Sequence, residues 1–564
     1  MSTKLKLYIG RKIIECFKKP TTFTPTELLP WIHIGKGDNE KNIEMAIPLD
    51  ILEKNLGITN ISEILKIQPD DIIKNISLAN NRANRKLQFQ IERNIFIKDV
   101  LENSAKPDFN LKPKTIVFEY SSPNIAKPFH FGHLRSTMIG NFLSNLNKFL
   151  YNKVTRLNYL GDWGTQFGFI KVGIEELNYS KEDIKNSPLK LLYESYVYAN
   201  KLSEKDSGVS ERAKIEFNKL ESGTPELLDI WKEYMGYTKD ELEVMYRRLG
   251  VEFDEYYYES MYSANNIKDV IDKLQMKKVI RKDSDGKLIV SLDKKIVPIV
   301  KSDGSTLYIT RDIAAAIDRF NKYKFDKMYY IVDNSQSEHF KTLKEMLYRL
   351  DLPWANRLHH VKFGRIRGMS TRKGNAVFLK DILDECREMV IQQQIASPTT
   401  KVPINDDETS DVLGVSCVII NDLKQRRQKD YEFAWDKILQ VQGDTGIKLQ
   451  YTHCRLHSLE ENCGVKMPRQ LVPEIIIEPE AINLIKLMAK FQDVLYETEE
   501  KFEACILVTY LFHLCNHISK CLKVLKIKGV DPDVGSQRLL LFVKAREVLH
   551  AGMSIVGLKP LTKM

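Results

Sequence analysis

Residues 115–160 read TIVFEYSSPNIAKPFHFGHLRSTMIGNFLSNLNKFLYNKVTRLNYL, and the order of patterns inside this run decides the fold. A β-branched and aromatic run, TIVFEY, leads into a loop of Ser, Pro and Asn. Apolar residues then recur at helical spacing from about His133 to Leu150, with Leu134, Ile139, Phe142, Leu146 and Phe149 on one stripe. A second β-rich run, VTRLNYL at 154–160, follows. Strand, loop, helix and strand in this order make the unit that builds parallel sheets, and the loop falls at the carboxyl end of the first strand.

Working outward, the alternation returns downstream. IVPIVKS, a helix from near Thr310, KMYYIV at 327–332, a helix from about Ser337, VKFGRI and the loop GMSTRKGN read as the second half of the sheet. Between the halves, residues from about 176 to 290 are highly charged with a helical period, which suits an insertion into a split nucleotide-binding fold. Residues 1–105 mix helix-like stretches with the strand-like KLQFQI and form an α+β appendage. From 405 to 564 the β signal fades into amphipathic segments such as DVLGVSCVIINDL and ACILVTYLFHLCNHISKCLKVL, the pattern of a helical bundle.

The 564 residues leave room for three or four domains, and 43% hydrophobic with 28% charged residues excludes a disordered chain. Lys and Arg outnumber Asp and Glu by 85 to 75, a surplus that suits a polyanionic partner such as RNA. No apolar run approaches the ~20 residues that cross a bilayer, so no membrane role is expected. The eight cysteines contain no C-x-x-C pair and read as reduced, buried thiols. His513, Cys515 and His517 alternate, so a helix would point them to different sides, and no structural metal is expected. Residues 1–20 carry six cations against Glu15 with Leu5, Ile9, Ile13 and Phe17 at helical spacing. That pattern fits a mitochondrial transit segment and equally an amphipathic first helix with a basic solvent face.

Two short motifs carry chemistry. His130-Phe131-Gly132-His133 stands between strand and helix, where Gly132 lets backbone approach a phosphate, the imidazoles donate to it, and the helix N-terminus favours an anion. Gly368-Met369-Ser370-Thr371-Arg372-Lys373-Gly374-Asn375 follows a strand and places two cations where they would stabilise a pyrophosphate leaving group.

In this order, at strand ends of a split sheet, the two motifs match the paired signatures of class I aminoacyl-tRNA synthetases. EYSSPNIAKPFHFGHLRST, LNYLGDWGTQFG, SDGSTLYITRDIAAAIDR, GMSTRKGN and GDTGIKLQYTHCRLHSLE closely resemble arginyl-tRNA synthetases from end to end. The resemblance is strongest to the shorter mitochondrial form of animals, including the final GLKPLTKM.

The resemblance implies a ligase that activates arginine with ATP and Mg²⁺ to arginyl-adenylate, releases pyrophosphate and transfers arginine to the 3′-terminal adenosine of tRNA(Arg). It implies an α/β fold in which a split Rossmann-type parallel-sheet catalytic domain (106–404) lies between an N-terminal tRNA-contacting appendage (1–105) and an all-α anticodon-binding bundle (405–564). Glu119, Ser122, Asn124, Tyr308, Asp312 and Gln336 become the expected arginine contacts. A carboxylate with polar neighbours is the best reader of a planar, five-donor cation. His130, Gly132, His133, Met369, Ser370, Arg372 and Lys373 become the ATP contacts. Gly368 stands where the class signature usually has a lysine, and Lys127 takes the place of the lysine thought to compensate. Tyr451, Arg455 and Met564 correspond to anticodon contacts; an aromatic and a cation at i, i+4 can stack on and pair with unstacked bases. A monomer in the mitochondrial matrix is expected, with the cytoplasm as the alternative.

Overall fold

The computed structural model describes residues 3–16, 24–35, 43–56, 63–81, 84–105, 112–125, 129, 131–262, 264–292, 295–302, 307–368, 378–396, 407–438 and 443–564. The chain divides into two compact units, one of residues 112–386 with 427–435 and the other of 1–111, 387–426 and 436–564.

The first unit is built on a five-stranded parallel sheet. Its strands are β1 (Thr115–Glu119), β2 (Lys153–Leu160), β3 (Glu255–Tyr258), β4 (Lys327–Tyr330) and β5 (Leu358–His360), in the order β5-β4-β1-β2-β3. Glu119 at the end of β1 pairs with Leu157 on one side and Tyr330 on the other, with β2 running on to Leu160. Helix α1 (Phe131–Phe149) buries Leu134, Ile139, Phe142 and Leu146, the stripe its spacing forecast, and Phe149 at its end is partly buried. Helices α2 (Tyr308–Tyr323) and α3 (Ser337–Arg349) flank β4 in sequence, and Ile313, Ala316, Leu343 and Met346 share one core with Val117 and Met328.

Three stretches differ from their sequence reading. IVPIV forms no part of the parallel sheet; Lys295–Val300 closes an antiparallel three-stranded sheet with Leu288–Leu292 and Ile280–Lys282. An apolar run states that it is a strand but not which partner it takes, and here Leu288–Leu292, the strand just before it in the chain, is the nearest partner, itself joined to Ile280–Lys282 by the turn at Asp283–Gly286 with Gly286 at φ 84°. The charged stretch 176–290 is interrupted after Arg248, where EYYY becomes the edge strand β3 before a further helix, Ala264–Met276. VKFGRI begins just after the sheet strand, which is Leu358–His360, and Ile366–Arg367 instead pairs with Tyr431–Glu432.

Within the inserted helices, Phe167, Ile170, Leu192, Leu220 and Leu227 form a separate core. Gly168 permits this crossing, because a Cβ there would lie 1.9 Å from the Ala213 carbonyl oxygen.

The second unit joins the appendage to the bundle. Strands His33–Ile34, Ile43–Pro48, Asn84–Ile91 and Ile73–Asn81 form an antiparallel sheet in that order, and Arg93 donates to the carbonyl of Ile476 in the bundle. Helix Thr3–Glu15 is fully integrated: Ile9 and Ile13 are sealed from solvent, Lys6 forms a buried ion pair with Asp493, and Thr3 Oγ1 donates to Gln492 Oε1 at 2.8 Å. Helix Ala504–Val524, the one among the described residues with the length and hydropathy to cross a membrane, instead packs against helices Gly446–Asn462, Pro479–Ala489 and Pro532–Ile555. Burial pushes its Cys515 thiol up to about 12; none of the eight cysteines is in a disulfide, and Cys16 and Cys505 are only half-buried, against the expectation of buried thiols throughout.

Candidate active site

The sheet order places β1 beside β4, with α1 following one and α3 the other, and the gap between two such loops is where open α/β sheets hold ligands. The β1 loop is backbone-strained: Ser121 and Ser122 have φ of 73° and 47°, a region that residues with a Cβ rarely enter. A buried hydroxyl network holds them there. Tyr246 OH lies 2.7 Å from Ser121 Oγ and accepts from Asn158 Nδ2 at 2.9 Å, while Ser122 N–H donates to Asn158 Oδ1 at 3.1 Å. Thr137 Oγ1 donates to Ser121 Oγ, and Ser121 N–H donates to Ser136 Oγ. The hydroxyl of Ser122 itself is buried with no hydrogen-bond partner among the described residues.

Beside this loop opens a cleft of about 440 Å³ whose walls include Asn124, Gly161, Asp162, Gln166, Glu259 and Tyr308. Asn124 and Gly161 are bridged through their backbones, and a Cβ on Gly161 would sit 2.2 Å from Asn124 Oδ1, so only glycine lets the amide reach its position. Asp162 accepts from Ser260 N–H at 3.0 Å and Ser260 Oγ at 2.6 Å, and burial pushes its carboxyl up. Burial, then the neighbouring charges of Asp312 and Asp162, push the Glu259 carboxyl up to about 7. Tyr308, 63% exposed, opens α2. One turn on, Asp312 Oδ2 lies 2.5 Å from His339 Nε2. Three carboxylates thus crowd one region, an arrangement that favours a cation.

Glu119 has a different environment. It is buried at the end of β1 in an ion pair with Arg319 of α2, whose guanidinium lies over the rings of Tyr159 at 4.8 Å and Tyr257 at 5.2 Å. Burial pushes the Glu119 carboxyl up, against the pull of Arg319. Of the six expected arginine contacts, Asn124 and Tyr308 therefore share the cleft wall and Asp312 stands one turn behind. Ser122 lies in the strained loop, Gln336 is exposed on the short turn Asn334–Gln336 after β4, and Glu119 is engaged by the protein's own arginine.

Of the expected ATP contacts, Gly132 is exposed in the first turn of α1, and the half-buried His133 has its ring 5.6 Å from that of Phe129. Lys127, His130, Met369, Ser370, Arg372 and Lys373 lie outside the described residues. The segments flanking the two signature loops are nevertheless joined, since Leu379 N–H donates to Phe129 O at 3.0 Å.

In the other unit, Tyr451 and Arg455 are both exposed on helix Gly446–Asn462, with Thr452, His453, Cys454 and Leu456 buried between and beside them. The tail is clamped to the same helix: Gln450 accepts from Leu561 N–H and donates to Lys559 O, both at 2.9 Å, and His453 Nδ1 lies 2.7 Å from Leu561 O. Met564, three residues on, is partly buried.

A family model described as tRNA synthetases class I (R), catalytic domain, matches residues 96–435, and one described as DALR anticodon binding domain matches residues 449–564. The probable mitochondrial arginine–tRNA ligase of Homo sapiens is 38% identical over 88% of this chain and 88% of its own length. The chain belongs to the class I arginyl-tRNA synthetases. The probable cytoplasmic enzyme of Dictyostelium discoideum is 37% identical over 93% of this chain and 95% of its own. Among solved structures, the arginyl-tRNA synthetases of Thermus thermophilus (TM-score 0.82, 17% identity, all of both chains) and Plasmodium falciparum (0.78, 24%, 100% of this chain and 99% of the other) share the fold.

Three residues of this synthetase escaped the sequence reading. Glu259 follows β3, a strand hidden in a run read as helical; its signal was the aromatic cluster EYYY before it. His339 comes one turn after Gln336, at a position that only the packing of α3 against α2 makes meaningful. Arg319, near the end of α2, is fully buried.

Proposed function

We propose that this arginine–tRNA ligase seats arginine in the cleft beside the β1 loop, with the guanidinium between Asp312 and Glu259 and against Tyr308. One observation carries the reading: Asp162 and Glu259 share the wall of the cleft, and Asp312 lies close enough to raise the Glu259 carboxyl with Asp162. Gln336 joins the guanidinium pocket, Asn124 and Ser122 then face the α-amino and carboxylate end of the amino acid, and Glu119 acts on the site through the strand end it anchors.

MgATP enters as substrate at the N-terminus of α1, with His130, Gly132 and His133 on the phosphates and Met369, Ser370, Arg372 and Lys373 supplied by the second loop. Lys127 replaces the missing signature lysine. The arginine carboxylate attacks the α-phosphorus, forming the mixed anhydride as the bond to the β-phosphate oxygen breaks and pyrophosphate leaves. The 2′-hydroxyl of the terminal adenosine then attacks the activated carbonyl, and AMP leaves. Positioning and charge stabilisation supply the rate, so no side-chain nucleophile is required.

In this reading residues 405–564 hold the anticodon through Tyr451, Arg455 and Met564, residues 106–404 carry the chemistry, and 1–105 touch the outer corner of the transfer RNA. The enzyme works as a monomer in the mitochondrial matrix. Helix Thr3–Glu15 is retained there, because its removal would strip the buried Ile9 and Ile13 and leave Asp493 without its cation. Recovery of a cytoplasmic protein in cell fractionation would move it to the alternative compartment.

The test is Asp312→Asn, which keeps shape and hydrogen-bonding capacity but removes the charge. The expected loss in kcat/KM for arginine is on the order of a hundredfold, with thermal unfolding unchanged. Near-normal arginine kinetics in the folded variant would reject the assignment. Pyrophosphate exchange with each amino acid, with and without transfer RNA, checks the substrate itself.

A further inference from the structure

We infer that His339 is a positioning residue for arginine selection, acting through Asp312; the inference rests on the assignment of Asp312 to the guanidinium. His339 stands in the first turn of α3 and Asp312 in the second turn of α2, two helices packed against each other beside the cleft. Nε2 lies 2.5 Å from Oδ2, and each side chain is 27% exposed, so the pair is reached by solvent and is not a core ion pair. An ionised carboxylate only accepts hydrogen bonds, so Nε2 carries the hydrogen. This bond takes one side of one oxygen and leaves Oδ1 and the outer edge of the carboxylate open to a two-pronged donor.

The geometry explains why a histidine serves better than a lysine or an arginine at position 339. A permanent cation would neutralise Asp312, as Arg319 does Glu119. An imidazole engages the carboxylate through one nitrogen and one oxygen, which fixes its direction and leaves the other oxygen for the substrate. The edge of the His339 ring is itself fixed by an edge-to-face contact with Phe340, at 5.6 Å between centroids and 88° between planes.

His339→Leu removes the donor, while His339→Gln restores one, because the glutamine amide nitrogen reaches nearly the place of Nε2. Charging of transfer RNA by the full-length enzyme is measured with arginine and ATP varied separately. His339→Leu is expected to raise the KM for arginine about tenfold, with kcat and the KM for ATP within about twofold; His339→Gln returns most of the loss. In an Asp312→Asn background, His339→Leu adds nothing, since there is no charge left to orient.

An unchanged arginine KM in His339→Leu, alongside a large loss in Asp312→Asn, overturns the positioning role while the Asp312 assignment stands. Equal losses in kcat and both KM values, or no rescue by glutamine, reduce His339 to packing and overturn it too. So do losses that add in the double variant. Near-normal kinetics in Asp312→Asn brings down the Asp312 assignment itself, a result separate from every other.

Discussion

Glu119 and Asp312 are both carboxylates of the parallel-sheet unit, both in strings typical of the family, yet they differ in who supplies the counter-charge. Glu119 is sealed at the strand end with Arg319, whose guanidinium lies over two neighbouring tyrosine rings. Asp312 is held by the single ring nitrogen of His339 and remains partly open, with Glu259 nearby at a raised carboxyl value of about 7. The first arrangement shows what a satisfied guanidinium site looks like in this protein: carboxylate below, aromatic faces beside it. The second has the carboxylates and an exposed Tyr308, with no lysine or arginine of the described residues in an ion pair with Asp312. A buried ion pair is costly to break by halves, whereas an exposed one is nearly free to exchange its partner.

The largest effect expected from this contrast is on stability. Arg319→Ala strands a buried carboxylate and should cost about 3–5 kcal/mol in denaturant unfolding, whereas Asp312→Asn should cost little. If Arg319→Ala unfolds normally and the arginine KM rises instead, the contrast is reversed and Glu119 reads the substrate.

A pH titration sharpens the other side. A carboxyl held at about 7 is ionised above that value and protonated below it, and a cationic substrate binds the ionised form. The arginine KM should therefore be lowest above pH 7 and rise by up to about tenfold per unit as the pH falls below it. For the unliganded fold the sign is opposite. A raised carboxyl binds its proton more tightly when folded, so the contribution to stability is present at low pH and lost as the pH rises from about 4.5 through about 7. Glu259→Gln should flatten both curves and leave the arginine KM high throughout. A KM that stays independent of pH in the unaltered enzyme would remove Glu259 from the cleft chemistry.

The smallest effect asks whether the contrast is confined to the amino-acid site. Tyr451→Ala, at an exposed position on the other unit, should weaken the KM for transfer RNA by ~1–3 kcal/mol of lost stacking and leave the arginine KM unchanged. A shift in arginine KM there would show that the two sites do not act separately.

Much was legible without coordinates. The strand-loop-helix-strand order at 115–160, the helices from Tyr308 and Ser337, and the bundle helices are local patterns, set by residue spacing over a few turns. Family membership rests on strings of adjacent residues, which need no three-dimensional information. Asn124 and Tyr308 were found by the same strings and do share a wall of the cleft.

Tertiary structure decided what depends on residues far apart in the chain. A strand's partner is chosen by which edge is free, so IVPIV joined a local hairpin and EYYY, inside a charged run, became a sheet edge. The fate of a carboxylate depends on the cation that folding brings to it: Glu119 met Arg319, Asp312 met His339, and Glu259 was left crowded among acids. The amphipathic first helix was open to two readings because its stripe says only that one face wants burial. Neighbouring helices of the appendage, Pro25–Leu28 and Arg93–Glu102, supplied most of that surface, and Lys6 found Asp493 hundreds of residues later. Spacing sets which side chains point together, and only packing sets what they meet.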